Sequence, residues 1–140
     1  RLDTRYRFAD RGEWPVDVLA YGHGAKVFGE QIYDVQAAAV LARGFDALTA
    51  TLNIIGAVEF KPDPEPRFGY AAGITYELHP KLNIGAETYA TLSDGERAFS
   101  GGPVVALAPS SKLWLTLSLG FGINDEAPAL AGRFILGLEL

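Results

Sequence analysis

Ten charged side chains share the parity of the small and polar residues in their segments: Asp3, Arg5, Arg7, Asp17, Asp34, Glu59, Glu77, Glu87, Arg133 and Glu139. Acids and guanidiniums gathered on one polar face can line a selective passage, with acids favouring cations and arginines favouring anions. They can equally pair across strands and stiffen the space they share, because an isolated desolvated charge is costly. Signs are mixed along this face, so pairing is the simpler role for most of them, and Arg133 with Glu87 is a candidate pair even if their strands are not adjacent. Tyr21, Tyr89 and Trp114 fall on the same face. Such rings can stack an aromatic or sugar-like solute, although filling space is their commoner use.

Catalytic and metal chemistry find little support. His79 sits in a Pro turn, where it is expected to be solvated, and His23 sits in Tyr21-Gly22-His23-Gly24 near a strand end. A hydrolase needs a nucleophile and a base within reach. Ser93, Ser100 and Asp34 are formal companions for His23, but no spacing unites them, so no catalytic residue and no enzyme activity are expected. Two separated histidines and no Cys make neither a metal site nor a disulfide framework, and no cofactor is implied. Gly69-x-x-x-Gly73 lies in a strand pattern and is not a nucleotide loop. A formal net charge of −5 argues against nucleic acid as a partner.

The elements that carry these residues alternate with period two. Lys112 to Ile123 is the clearest case: Leu113, Leu115, Leu117, Leu119, Phe121 and Ile123 form one side, against Lys112, Trp114, Thr116, Ser118, Gly120 and Gly122 on the other. A helix does not sort residues in this way, because its period is 3.6. Segments starting at Leu48, Phe68 and Leu82, and the terminal Phe134-x-Leu136-x-Leu138-x-Leu140, repeat the pattern. Weaker versions lie at Leu2–Phe8, Val16–His23, Tyr33–Ala42 and Ser100–Ala108. The sum is about nine strands, each near the length of a tilted membrane strand. No run of about 18 apolar residues exists, so no transmembrane helix is expected.

The connections are expected to alternate. Tight ones fall at Arg43–Asp46, His79–Lys81 and Pro109–Lys112, and longer ones at Lys61–Arg67, Ser93–Ser100 and Asn124–Ala129. That is the outer-membrane meander, with short turns on the periplasmic side. A soluble barrel also alternates, but with its apolar face inward. Three features turn the apolar side outward here. The polar face is mostly Gly, Ala, Thr, Ser and Asn, while Lys26, Lys61, Lys81 and Lys112 all fall at strand ends or in loops. Phe60, Phe68, Tyr70 and Phe121 lie near one end of the strands and Tyr76 near the other, as aromatic girdles do. The terminal strand resembles the C-terminal assembly signal of bacterial outer-membrane proteins, although it ends on Leu140 rather than on Phe or Trp.

Trp14-Pro15-Val16-Asp17, Gly101-Gly102-Pro103-Val104-Val105, Lys112-Leu113-Trp114-Leu115-Thr116 and Gly120-Phe121-Gly122 resemble the C-terminal half of small proteobacterial outer-membrane transporter-like barrels, those grouped near the phenol-degradation MetA-pathway family. The resemblance covers most of the chain through strand and turn patterns. It implies an outer-membrane β-barrel with a role in small-molecule passage, and it supplies no catalytic residues.

The expectation is thus an all-β, antiparallel up-and-down transmembrane barrel forming a single domain over residues 1–140. Odd strand parity and the absence of Met suggest that N-terminal strands are lacking, and that about nine strands here belong to a barrel of roughly ten to twelve. The expected function is a channel or transporter for small solutes in the outer membrane of a Gram-negative cell, lined by Arg5, Arg7, Asp34, Glu59, Glu77, Glu87, Tyr89, Trp114 and Arg133. Its expected partners are outer-membrane lipid and a small solute. A non-catalytic barrel that anchors or binds a larger membrane complex is the alternative.

Overall fold

The computed structural model describes residues 2–10, 12–26, 33–61 and 63–138. Pro62, Glu139 and Leu140, which figured in the reading of the Pro-rich loop and the terminal strand, lie outside the described residues. Nine strands follow in chain order: β1 Leu2–Arg7, β2 Asp17–Lys26, β3 Tyr33–Phe45, β4 Leu48–Phe60, β5 Glu65–His79, β6 Leu82–Ser93, β7 Glu96–Leu107, β8 Leu113–Gly122 and β9 Leu130–Leu138. They form one sheet in sequence order, and every neighbouring pair is antiparallel. No β1–β9 pairing closes this sheet among the described residues.

The register follows the parity of the sequence. Leu48 faces Tyr76, Ile54 faces Tyr70, Ile84 faces Tyr76 and Leu117 faces Phe134, so the bulky apolar residues share one side. On the other side Asp34 faces Glu59, Gly73 faces Glu87 and Ser118 faces Arg133. A strand slipped by one residue would exchange these sides, so every pairing reinforces the same assignment.

The expected alternation of loop lengths is corrected. Ser93–Ser100 is no long loop: β6 runs to Ser93, β7 starts at Glu96, and Asp94-Gly95 alone joins them. Gly95 has φ 85°, which suits the left-handed turn that Asp-Gly favours in a two-residue hairpin. Asp46-Ala47 and Pro80-Lys81 are equally tight, with Asp46 at φ 52°. Longer connections occur at both ends of the sheet, at 8–16 and 108–112 on one and at 123–129 on the other.

A single sheet has no second layer to pack against, and among the described residues no large side chain is fully buried. The few buried residues in the strands are small, and four of them, Ser100, Val104, Ser118 and Gly120, lie on the polar side. A flat sheet could not hide them. Arg133 on β9 reaches Glu87 on β6, across a distance that would be roughly 14 Å for three strand spacings laid flat. The sheet is therefore curled with its polar side inward. Glycines permit the tightest bending, because an inward Cβ at Gly85 would overlap the Ile74 carbonyl oxygen and one at Gly102 the Leu119 carbonyl oxygen.

The seam between β7 and β8 is interrupted. Pairing holds at Ser100–Gly122 and Gly101–Phe121 and resumes at Val104–Ser118, but is missing at Gly102 and Pro103. Ile123 donates its N–H to the Phe99 carbonyl at 2.8 Å, so odd-numbered β7 residues point their backbone groups at β8. Pro103 has the same orientation and no N–H, which removes the donor that Leu119 would meet.

Candidate functional site on the concave face

The concave face holds three clusters of polar side chains. In the first, β1 and β2 bring together Asp3, Tyr21 and His23 through the pairings Asp3–His23 and Arg5–Tyr21. Tyr21 donates its hydroxyl to Asp3 Oδ1 at 2.7 Å, and His23 Nδ1 lies 2.7 Å from the same oxygen. The Tyr21 and His23 rings are stacked with an interplanar angle of 14°, and the Arg5 guanidinium lies 5.6 Å from the Tyr21 ring centre. His23 thus has an acid to orient it. Ser93, Ser100 and Asp34 do not join it: Ser100 is buried on β7, and Asp34 pairs with Arg67.

The second cluster crosses β3, β4 and β5 near the Pro-rich connection. Arg67 Nη2 donates to Asp34 Oδ1 at 3.2 Å and lies 3.7 Å from Glu59 Oε2, on the strand between. Lys61 continues the chain of charges, with Nζ 3.7 Å from Glu59 and 2.9 Å from Glu65. The hydrogen bond to Glu65 is the main cause that holds the Lys61 ammonium above its ordinary pKa. The sequence pattern places Arg67 in the Pro-rich loop, yet it sits on β5. Its parity matches Gly69 and Ala71, and this was the available signal. Pro64 and Pro66 masked it by suggesting that the ladder had ended.

The third cluster spans β6 to β9. Arg133 bonds Glu87 through Nη2 and Ser118 Oγ through Nε at 3.3 Å. The candidate pair of the sequence is formed, and its strands are three steps apart. Glu87 is mostly buried and its Oε1 has no hydrogen-bond partner among the described residues, whereas the Arg133 side chain is half exposed. Two rings lie across glycines nearby. The Tyr89 hydroxyl occupies the place of a Cβ on Gly120, and the Trp114 indole occupies that of Gly137. Both contacts cover a strand that lacks a side chain at that point, as aromatic residues do over sheet glycines.

All nine candidate lining residues are strand residues on the concave side, and they divide into three groups. Asp34, Glu59, Glu87 and Arg133 are paired. Tyr89 and Trp114 are packed on the sheet. Arg5, Arg7 and Glu77 form no ion pair among the described residues, and Glu77 lies at the β5 end where a bulge shifts the register. Among the described residues no group of three His, Cys, Asp or Glu side chains could hold a metal ion.

The convex face is the opposite in character. Ile54, Ile74, Leu117 and Leu119 are about half exposed across its middle. Tyr33, Phe60, Phe68 and Phe121 are exposed toward one end, and Tyr6, Phe8, Phe45 and Tyr76 toward the other. No protein-family model matches this chain, and no curated protein matches it either.

Proposed function

We propose that this chain is an outer-membrane β-barrel protein that passes small polar solutes through a narrow, charged interior. The carrying observation is the inverted distribution of its two faces. Large apolar side chains stand exposed on the convex side, while ion pairs and small polar residues fill the concave one. Water would penalise so wide an apolar surface, and monomeric soluble proteins rarely expose more than a few hundred Å² in one patch. Lipid would accept it. The aliphatic middle flanked by aromatic ends supports the same reading, since rings favour the two interfaces of a bilayer. Mixed charges inside favour neutral or dipolar solutes over ions of a single sign.

In this reading the nine strands belong to a barrel of roughly ten to twelve, in the outer membrane of a Gram-negative cell. Planar-bilayer recording on the reconstituted protein tests it. Stepwise conductance or solute flux is expected, and their complete absence would sink solute passage. The second reading is a closed accessory barrel bound to a larger membrane complex. It is favoured by the Arg133–Glu87 bridge and the two rings lying across the concave face. Copurification of stable partners in mild detergent, without conductance, is its expected result.

A further inference from the structure

The two faces of the sheet differ in the sign of their charges as well as in polarity. Every Asp and Glu of the nine strands stands on the concave side, including Asp17 opposite Ala42, Glu65 opposite Glu59 and Glu96 opposite Ser93. The convex side carries no acid within the strands. It carries three cations: Lys26 opposite Tyr33, Arg43 opposite Ala50 and Arg97 opposite Leu92. All three lie near strand ends, where the exposed rings are, and none crosses the aliphatic middle. A bilayer sets its phosphate groups at that level, so cations confined to the rims of an apolar face meet them.

Two of the cations are already engaged. Lys26 Nζ lies 5.1 Å from the Tyr33 ring centre, and the Arg43 guanidinium lies 4.8 Å from that of Phe45. Arg97 has neither a ring beneath it nor an acid beside it among the described residues. It stands exposed beside a groove of about 530 Å³ that runs over Pro66, Phe68, Leu92 and Phe99, with Asp94 at the hairpin end. The four apolar residues share the convex side with Arg97. The backbone beneath is held by the 123–129 connection: Asn124 Oδ1 accepts the Phe99 N–H at 2.9 Å, and its amide nitrogen donates to the Arg97 carbonyl. The guanidinium therefore hangs from a fixed stretch of β7 while its own donors are unused.

An apolar trough that ends at a guanidinium suits an amphiphile with an acyl chain and an anionic head. The planar fork of Arg takes two phosphate oxygens at once. A soluble anion would use the fork and leave the trough bare. A second copy of the chain, meeting this one convex face to convex face, would bring only cations from its strands and no acid. We infer that Arg97 and the groove along Phe68, Leu92 and Phe99 form a binding site for an anionic phospholipid, with its phosphate on the guanidinium and an acyl chain in the groove. The inference rests on the reading that the convex face meets lipid, and it does not require solute passage.

NMR on the 140-residue chain folded in maltoside micelles tests it, read at the Arg97 Nε–H signal and the backbone amides of Phe68, Leu92 and Phe99. The probes are palmitoyl lysophosphatidylglycerol, palmitoyl lysophosphatidylcholine and inorganic phosphate. The anionic lipid should move all four signals and saturate at about fivefold lower concentration than the zwitterionic one. Inorganic phosphate should leave the three amides unmoved. Arg97→Gln, with its sheet content verified by circular dichroism, should abolish the preference, and the Lys26→Gln/Arg43→Gln variant should keep it. Equal response to the two lipids overturns the inference, as does a preference that survives Arg97→Gln. Inorganic phosphate saturating Arg97 as readily as the anionic lipid also overturns it, and assigns the guanidinium to a soluble anion. A chain that stays folded and monomeric without micelles would sink the membrane reading and this site together, whereas an embedded chain that treats both lipids alike sinks this site alone.

Discussion

The two ends of this sheet are built from the same alternating code, yet they differ in how much of themselves they bury. On β7 and β8 small inward residues disappear from solvent, Arg133 of β9 and Glu87 of β6 meet across those two strands, and two rings lie over glycines. On β1 every residue is exposed, and two inward arginines have no acid beside them among the described residues. Composition does not separate the ends, because each carries charges, rings and glycines. Curvature separates them. Where the sheet curls tightly, inward side chains converge and cover one another. At the edge each inward side chain has neighbours on one flank only. Burial on the concave face is therefore a consequence of bending.

The glycines test this account most severely. Gly85→Val and Gly102→Val would drive a Cβ into a neighbouring carbonyl oxygen, and should cost about 3 kcal/mol or more or abolish folding. Gly24→Ala and Gly44→Ala, where a Cβ meets nothing within 4 Å, should stay within about 1 kcal/mol. Urea unfolding in micelles measures both sets. Tolerance at Gly85 and Gly102 would break the link between curvature and burial.

The charged bridge comes next. Arg133→Ala leaves the largely buried Glu87 without its cation, and should cost about 2 kcal/mol, less than for a fully buried pair because Arg133 is half exposed. Arg5→Ala at the open end should cost under about 0.5 kcal/mol. A double-mutant cycle with Glu87→Ala isolates the coupling, and additivity of the two changes would remove the bridge as a stabilising contact.

A gain of about 1 kcal/mol is expected for Pro103→Val, which supplies a donor toward the Leu119 carbonyl in the interrupted seam. An unchanged unfolding midpoint would mean that the seam is held apart by something other than the missing N–H. The smallest effect belongs to the pair of Lys61 and Glu65, at the start of β5. Folding raises the Lys61 pKa above 10.5, so its contribution is present below that pH and is lost as pH climbs through the raised value. A slight alkaline fall in stability should vanish in Lys61→Met. A fall of equal size in that variant would assign the effect to other groups.

Much of the fold was legible because side chains alternate along every regular stretch of strand. The faces drawn from Leu48, Phe68, Leu82 and Leu113 are those of the paired sheet. The misreadings have local causes. Ser93 to Ser100 reads as a polar loop, but Asp94-Gly95 closes the hairpin by itself, and the residues after it alternate within β7. Arg67 was hidden by the prolines before it. The Arg133–Glu87 pair was legible as complementary chemistry on one face, but not as a contact, since strand parity says nothing about reach.

By itself, then, the sequence determined which residues share a side, because the period of two is a property of the extended chain. Only the tertiary structure decided which charges meet, and which arginines have no acid beside them among the described residues. Those outcomes depend on how sharply the sheet bends, and the bend is set where neighbouring backbones approach too closely for any side chain but hydrogen.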